Sequence, residues 1–369
     1  MNLVLDITPL QDPDTGIAIY TGSLQRELMK QLSSEELSFL YFGRKFESSG
    51  TEEEFSKKRI PFPAYPFYRY WSFFNKPELD CFTVNRQIYH NTNFFVPPSQ
   101  KIKTIVTIHD IAFIHYPETS SKRISRIYSN YRKIWNRASI IITPSVSTKN
   151  DLIELMPESE SRIFVVNYGL DSFYRIIDRK SARQFIKEKW NIEKPFLLHV
   201  GKIEPRKDHK TLFKAFEVIS EKHDLLLICV GGIGWKSKEI LDYLEKSKER
   251  SRIMLLNVVN KEDLLNLYNS SEMLVFPSIY EGFGLPVIES MSCGCPVITC
   301  NNSSLREAGG NGALYFQTGK HEELAECINE LLTSKEKKDL LVKNGIEWVR
   351  KFNWEKAAKE HIGIYRSLE

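Results

Sequence analysis

The sequence predicts an α/β protein of two domains, each built on a parallel sheet. Short apolar, strand-like runs alternate with helical runs along most of the 369 residues, and this alternation is typical of parallel sheets covered by helices. The chain is long enough for two domains, each with its own core. A strand–turn–helix pattern begins near residue 3 and begins again near residue 195, so two such domains are expected in succession.

Composition narrows the class of protein. The hydrophobic fraction is 42% and the charged fraction 27%, as in soluble globular proteins. A net charge of +4 from 51 basic and 47 acidic residues is too small to indicate nucleic-acid binding. The six cysteines form no C-x-x-C pair, so we expect reduced core thiols in a cytosolic protein and no zinc site. No signal-peptide pattern and no run of about 20 apolar residues is found.

The first half contains a series of predicted strands and one glycine turn. The predicted strands lie at residues 3–7, 37–42, 87–90, 104–108, 139–143 and 163–166, with a charged loop expected over 47–59. A helix is predicted from about 17 to 32, and Gly16 stands at its start. Two interpretations of Gly16 are open: a plain turn glycine, or a site where a sugar or diphosphate approaches the backbone.

Two stretches of this half could meet a membrane surface. Residues 62–74 hold eight aromatics in thirteen positions; they predict either a core-packed segment or an exposed aromatic face. Residues 122–137 predict a basic amphipathic helix, which either packs on the core with a solvated face or meets anionic lipid. Its basic residues are Lys122, Arg123, Arg126, Arg132, Lys133 and Arg137.

One histidine follows a predicted buried strand. His109 comes directly after residues 104–108, and ligands bind at the carboxyl ends of strands in open α/β sheets. A neutral imidazole there could hydrogen-bond a ligand, although a purely structural histidine is the commoner case. Asp110 beside it is expected to act only through its neighbours.

The second half repeats the pattern and brings two lysines to the end of a strand. Strands are predicted at 195–200, 225–230, 252–257, 273–276, 296–299 and 312–316. Lys202 and Lys207 flank the turn after the first of them. They are either cations for a diphosphate or two solvent-exposed lysines.

The most informative stretch runs from residue 278 to 299. Its first half, around Gly282 and Gly284, predicts a loop, and Pro286 near the first helical position predicts a helix that ends near Gly294. A strand, a glycine loop and a helix N-terminus together form an anion site. Glu281 and Glu289 are expected to accept hydrogen bonds from hydroxyl groups, because carboxylates would repel phosphate.

The string E-G-F-G-L-P-x-x-E, together with G-K-I-E-P-R-K and S-S-L-R-E, closely resembles the signature of family 4 retaining glycosyltransferases. The resemblance covers nearly the whole chain and is closest to the mannosyltransferase-like branch that builds bacterial O-antigen and other surface polysaccharides. It implies the GT-B fold: two Rossmann-like domains with parallel sheets facing across a cleft, and a C-terminal helix crossing back to the N-terminal domain. The implied divisions are an acceptor-binding domain at 1–172, a nucleotide-sugar-binding domain at 173–350 and the returning helix at 351–369.

The resemblance also implies roles for individual residues. Lys202 stands where the family has arginine, which puts its grip on phosphate in question, and Arg206 could share that role. The usual arginine after the first glycine turn is also absent, since the chain has Gly16-Ile-Ala-Ile-Tyr20. Glu307 could orient the donor site. The expected catalytic residues are His109, Lys202, Lys207 and Glu281. The expected donor-binding residues are Gly16, Arg206, Val259, Gly282, Phe283, Gly284, Leu285 and Glu289.

The predicted activity is transfer of a hexose, with mannose favoured, from a nucleotide-diphospho-sugar to a lipid-linked or polysaccharide acceptor. GDP-mannose is the favoured donor, and no metal or other cofactor is expected; Asp12 and Asp14 have D-x-D spacing but lie before the first helix. We expect a cytoplasmic location, with contact to the inner membrane face as an open alternative. The competing hypotheses are a non-hydrolysing nucleotide-sugar epimerase and a non-catalytic sugar-nucleotide-binding subunit. A nicotinamide dehydrogenase is disfavoured, since no G-x-G-x-x-G follows the first strand.

Overall fold

The computed structural model describes residues 1–13, 15–45, 54–83, 87–119 and 128–369. The chain divides into two compact units. The first unit contains Met1–Gly169 and Phe352–Glu369, and the second contains Leu170–Lys351. Each unit has its own parallel β-sheet, so the predicted α/β class with two parallel-sheet, Rossmann-like halves is confirmed.

The sheet of the first unit has seven strands in the order β3-β2-β1-β4-β5-β6-β7. All its neighbouring strands pair in parallel. The central strands are buried over their whole length, as expected for a sheet that helices cover on both faces. The strands are β1 (Leu3–Asp6), β2 (Leu37–Phe42), β3 (Lys57–Ile60), β4 (Ile88–Asn91), β5 (Lys103–Thr107), β6 (Ile140–Thr143) and β7 (Ile163–Val165).

The helices of the first unit include the last helix of the chain. The α-helices are α1 (Gly16–Gln31), α2 (Ala64–Phe73), α3 (Ala112–His115), α4 (Tyr131–Trp135), α5 (Val146–Leu155) and, from the C-terminal segment, α14 (Trp354–Arg366). Short 3-10 helices lie at Thr8–Gln11, Leu79–Cys81, Pro117–Thr119, Tyr128–Asn130 and Pro157–Arg162. Thr15 caps α1 by accepting a hydrogen bond from the Ala18 N–H at 3.2 Å, and Ser145 caps α5 in the same way.

The second unit has a six-stranded parallel sheet in the order β10-β9-β8-β11-β12-β13. Its strands are β8 (Phe196–Val200), β9 (Leu226–Val230), β10 (Ile253–Leu256), β11 (Met273–Phe276), β12 (Val297–Cys300) and β13 (Ala313–Phe316). Its helices are α6 (Arg179–Trp190), α7 (His209–Ile219), α8 (Lys238–Lys246), α9 (Lys261–Ser270), α10 (Leu285–Ser292), α11 (Leu305–Gly309), α12 (His321–Thr333) and α13 (Lys335–Val349). Short 3-10 helices lie at Pro205–Lys207 and Arg250–Arg252.

Two predictions for the first half were wrong in part. The interval expected to be a charged loop contains β3, an edge strand with Lys57, Lys58 and Arg59 on it; charged residues are tolerated there because an edge strand is half-solvated. The cysteines were predicted to be core thiols, but Cys81 is exposed, while the other five are buried.

The predicted basic helix at 122–137 is also wrong in part, because the described helix is shorter than predicted. Residues 120–127, which include Lys122, Arg123 and Arg126, lie outside the described part of the chain. The described helix ends at Trp135, so Arg137 is not on it. Instead, the Arg137 guanidinium donates to the Trp71 carbonyl and the Asn75 side chain, both at 2.8 Å.

The last helix belongs to the first unit through a buried chain of hydrogen bonds. On α14, His361 Nε2 accepts from the Tyr20 hydroxyl at 2.9 Å, and Tyr20 is joined in turn to Thr107 at 2.9 Å. His90 joins Thr107 and the Tyr365 hydroxyl, both at 2.8 Å. These side chains are buried, so α14 is fastened to α1, β4 and β5 of the first unit, as the predicted return of the last helix requires.

No helix in the described part of the chain is both long and apolar enough to cross a membrane.

Candidate active site

The loops at the carboxyl edge of the second sheet converge on one area. The segments after β8, β9 and β11 come from strands that are neighbours in the sheet. The Ile203 N–H donates to the Gly232 carbonyl at 2.9 Å, and the Ile279 N–H donates to the Arg206 carbonyl at 2.8 Å. Because this edge is where open α/β sheets bind ligands, these segments define the candidate site.

A glycine in the left-handed backbone region shapes the loop that leads into α10. Gly284 has φ +110°, a conformation that residues with a side chain rarely adopt. A Cβ atom built there would lie 3.0 Å from Leu305 Cδ2. Leu285 begins α10 with Pro286 in its first turn, as predicted. Gly294, with φ +67°, follows its end, also as predicted.

Four charged side chains form a buried cluster beside this loop. Lys207 Nζ lies 2.5 Å from Glu281 Oε1, and Arg206 Nη1 lies 2.9 Å from Glu281 Oε2. Arg206 Nη2 lies 3.1 Å from Glu204 Oε1. Glu204 is 2% exposed and Glu281 8%. This set will be called the four-charge cluster.

The two cations keep Glu281 ionised. Burial by itself would raise the pKa of this carboxyl, but the charges of Arg206 and Lys207 outweigh burial and lower the pKa to about 2. Charged groups that are buried in this way are stable only with good partners. Glu281 is therefore a carboxylate at any physiological pH, and both cations are held near it.

Glu289 lies eight residues further on and has a different environment. It is buried in α10 and accepts a hydrogen bond from the Tyr268 hydroxyl at 3.0 Å. Burial, and to a lesser extent the charge of Asp171, raises its pKa to about 7, although the Tyr268 hydrogen bond and the charge of Lys261 both act to lower it. A neutral carboxyl is thus substantially populated at neutral pH.

The remaining predicted residues of this unit lie at the same edge with different exposure. Lys202 is exposed and has no hydrogen-bond or ion-pair partner in the described part of the chain. Phe283 is 2% exposed, so its side chain is part of the core, and the neighbouring Gly282 is also buried. Val259 is half-buried, between the end of β10 and the capping box that opens α9. Glu307 lies in the first turn of α11.

His109 and Gly16 belong to the other unit. His109 is buried, and both its ring nitrogens are engaged: Nδ1 with the Tyr168 hydroxyl, and Nε2 with the Thr92 carbonyl at 2.7 Å. Burial lowers its pKa to about 4, so the ring is neutral. A ligand can therefore contact a ring nitrogen of His109 only if it replaces Tyr168 or Thr92 as the hydrogen-bond partner. Gly16 is exposed, and within the described residues no packing neighbour is found within 4 Å of a Cβ built on it.

Three features of this edge were missed in the sequence. Glu204 anchors Arg206; it lies inside the quoted G-K-I-E-P-R-K string, but its partner was not inferred. The Tyr268 hydroxyl, on α9, donates a hydrogen bond to Glu289. No pattern in the neighbouring sequence predicts this contact. His199 and His209 form a fully buried pair with ring centroids 4.5 Å apart. Among the described residues, no group of three or more His, Cys, Asp or Glu side chains is arranged to hold a metal ion.

Comparison with family models covers both halves of the chain. Residues 18–172 match the model described as "Glycosyltransferase Family 4", and residues 181–348 match the model described as "Glycosyl transferases group 1". The first match lies within the first unit, apart from its last few residues, and the second lies within the second unit.

Individual relatives agree with the family models. The chain is 27% identical to O-antigen chain mannosyltransferase B of Escherichia coli, over 100% of both chains. Among solved structures, it resembles sucrose-phosphate synthase from Thermosynechococcus elongatus with a TM-score of 0.79 at 20% identity, covering 100% and 99% of the two chains. It resembles the Anabaena protein HepE, solved in complex with UDP-glucose, with a TM-score of 0.72 at 14% identity over 100% of both. These structural matches concern the fold.

Proposed function

We propose, because the chain belongs to the glycosyltransferases and has their GT-B type of fold, that it transfers mannose from a nucleotide-diphospho-sugar to a lipid-linked or polysaccharide acceptor. GDP-mannose is the favoured donor. The proposal is supported by the full-length similarity to an O-antigen chain mannosyltransferase and by the complex of a structural neighbour with a nucleotide sugar. The product would enter a cell-surface glycan such as O-antigen.

The observation that carries the proposal is the four-charge cluster beside the glycine loop. When a sugar leaves a nucleoside diphosphate, negative charge develops on the departing phosphate, and preorganised cations stabilise it. Lys207 and Arg206 are such cations, held at the carboxyl edge next to the N-terminus of α10. We assign Lys207 and the exposed Lys202 to the diphosphate, and Arg206, which also holds Glu281, adds its positive charge to that site.

The two acids are assigned to the two sugars of the donor. Glu281, with the backbone of residues 282–284 and Leu285, would position the hexose, and Glu289 would accept hydrogen bonds from the ribose. Val259 would contact the base. We propose residues 1–172, nearly all of which lie in the first unit, as the acceptor domain. Gly16 and His109 of this domain would contact the donor. The reaction would retain the sugar's configuration without a metal, a donor phosphate oxygen taking the acceptor's proton.

Replacing Lys207 tests the diphosphate assignment. Lys207→Ala should lower kcat by about a hundredfold or more, because one fixed transition-state cation is lost. The matched control is Lys210→Ala: this lysine is three residues away but pairs with the exposed Glu239 at 3.0 Å, and its loss should leave the rate nearly unchanged. A near-normal rate for Lys207→Ala, measured with saturating donor, would remove the assignment.

The donor, the stereochemistry and the competing hypotheses need separate measurements. A thermal-shift screen of nucleotide sugars should show the largest stabilisation with GDP-mannose. NMR of the product should show the donor's anomeric configuration, and activity should persist in EDTA. NMR of donor incubated with enzyme alone would reveal a new sugar epimer if the protein were an epimerase. A pure binding subunit would bind the donor and form no product with any acceptor.

A further inference from the structure

The four-charge cluster is balanced by its own members. It holds two acids, Glu204 and Glu281, and two bases, Arg206 and Lys207, at contact distances between 2.5 and 3.1 Å. Both bases are largely buried, with side-chain exposures of 17% and 12%. Arg206 and Lys207 are therefore already paired with a carboxylate, and an incoming anion must compete for them.

The two bases are not held equally. Arg206 contacts both acids and also donates to the Tyr280 carbonyl at 2.7 Å. Lys207 has one carboxylate partner in the described part of the chain, Glu281. A change of partner therefore costs less free energy at Lys207 than at Arg206, because at Lys207 one ion pair is simply replaced by another.

The Lys207 stem is confined by its surroundings. A Cβ atom built on Gly201 would lie 3.3 Å from Lys207 Cδ and 3.2 Å from His199 Nε2. The Lys207 ammonium lies 4.9 Å from the centre of the Phe276 ring, and His199 stacks on that ring from within the core. The Lys207 ammonium is thus fixed in position by its surroundings, while the anion that it pairs with can change.

We propose that the Glu281 carboxylate is a resident anion, which a diphosphate displaces from Lys207 while Arg206, anchored by Glu204, keeps Glu281 in place. The inference rests on the proposed function and assigns a new role within that site. The displaced Oε1 becomes available to a hexose hydroxyl once the diphosphate has arrived. Sugar positioning is thereby coupled to phosphate binding, and Glu204 acts as a positioning residue through Arg206.

The exchange predicts that removing the resident anion tightens phosphate binding. Inorganic pyrophosphate and GDP would be titrated into the full chain by calorimetry. Glu281→Gln should bind both at least about fivefold more tightly than the wild type, equivalent to about 1 kcal/mol, while its rate of sugar transfer falls. Glu239→Gln is the matched control, because this exposed glutamate pairs with Lys210 outside the four-charge cluster; its pyrophosphate affinity should not change.

A second variant protects the test against misfolding. Glu281→Asp keeps the charge but shortens its reach by one methylene, so it should show a smaller gain in the same direction. Thermal unfolding identifies variants that are folded. Equal or weaker pyrophosphate binding in a folded Glu281 variant would overturn the exchange alone. Failure of the wild type and all variants to bind pyrophosphate, GDP or UDP would overturn the proposed function, and the exchange with it.

Discussion

At the scale of single residues, Glu281 and Glu289 show how the surroundings divide two acids of one motif. Both are buried, and burial alone raises the pKa of each. Glu281 has Arg206 and Lys207 in contact, and its pKa falls to about 2. Within the described part of the chain, the hydrogen-bond partner of Glu289 is the neutral Tyr268 hydroxyl. Burial therefore prevails, and the pKa of Glu289 rises to about 7. The nearest charge therefore decides the outcome.

The raised pKa of Glu289 predicts a pH-dependent stability. An ordinary glutamate in the unfolded chain ionises near 4.5, so the folded state binds the proton more tightly between pH 4.5 and 7. The free energy of unfolding from this group is highest below pH 4.5 and declines as the pH rises to about 7, by roughly 3 kcal/mol. Glu289→Gln should therefore stabilise the protein at pH 8 but not at pH 4.5, as measured by urea unfolding.

Glu281 provides the opposite control for that measurement. Its folded pKa lies below the ordinary value, so its stabilising contribution is present above pH 4.5 and is lost as the pH falls towards 2. Glu281→Gln should destabilise the protein at pH 8. If Glu289→Gln were equally destabilising at pH 8, its carboxyl would be ionised and well paired, contrary to the structure.

At the scale of elements, two glycines stand at the starts of two helices for different reasons. Gly284 precedes α10 with a left-handed backbone and a crowded Cβ position. Gly16 begins α1 with open space around it. The protein's own packing therefore requires a glycine at Gly284, and nothing described around Gly16 requires one.

Alanine at the two glycines should separate stability from function. Gly284→Ala should destabilise the protein by about 1–2 kcal/mol, because L-residues are strained in that conformation. Gly16→Ala should leave stability unchanged or raise it by at most about 1 kcal/mol, while activity falls if the donor approaches the backbone there. Denaturant unfolding and transfer assays measure the two effects. Normal activity in Gly16→Ala would remove Gly16 from the donor site.

Helix α2 has one face in the core and one in solvent. Trp71 and Tyr68 are buried, so part of the aromatic stretch is core-packed. The exposed aromatics of α2 and of the residues that flank it will be called the α2 aromatic patch; they are Phe62, Tyr70, Phe73 and Phe74, each 49–58% exposed. Lys133 donates to the Phe73 carbonyl at 2.8 Å, which places a cation beside the patch. Exposed aromatics next to basic groups are suited to a lipid interface.

Vesicle binding tests the α2 aromatic patch. If it meets the membrane, the protein should co-sediment with phosphatidylglycerol vesicles more than with phosphatidylcholine vesicles, and less so in high salt. Phe73→Ser combined with Phe74→Ser should reduce this binding severalfold. Leu340→Ser, an equally exposed apolar residue on α13, is the control. Unchanged co-sedimentation of the double variant would show that the patch does not touch lipid.

At the scale of the whole molecule, the two ends of the chain complete one unit. The N-terminal ammonium pairs with Glu369 at 2.8 Å, and Trp354 packs so closely on Gly169 that a Cβ there would lie 2.2 Å from the Trp354 nitrogen. The buried chain from Tyr365 through His90 and Thr107 to Tyr20 gives each donor an acceptor. Residues 352–369 are thus part of the first unit, and the buried face of α14 belongs to its core.

Breaking that chain of hydrogen bonds should weaken the first unit. Tyr365→Phe removes the hydroxyl that His90 Nδ1 accepts from, leaving a buried nitrogen unsatisfied at a cost of about 1–3 kcal/mol. Tyr70→Phe, on an exposed tyrosine, should cost almost nothing. Hydrogen exchange should report the loss in the segments 3–6 and 88–91. Protection lost equally in both units, or in neither, would contradict the assignment of α14 to the first unit.

Local patterns predicted most of the fold. Apolar runs identified every described strand except β3, whose three charged residues hide an edge strand that needs burial on only one side. Helix signals were equally local: Ser145 at a cap, Pro286 in a first turn, Gly294 after a last turn. The predicted basic helix includes Arg137, because the charge pattern alone does not reveal that this side chain turns inward and contacts the end of α2.

The sequence by itself determined the parallel α/β architecture and the place of the candidate site, because periodicity, glycine turns and the Glu281–Glu289 spacing act over a few neighbouring residues. Only the tertiary structure decided which charges meet. Glu204 with Arg206, Arg206 and Lys207 with Glu281, Tyr268 with Glu289, and Tyr168 with His109 are brought together by strand order and helix packing. Such contacts set the pKa values and partners of the site, since electrostatic energies depend on separation and burial in space, which spacing along the chain does not reveal.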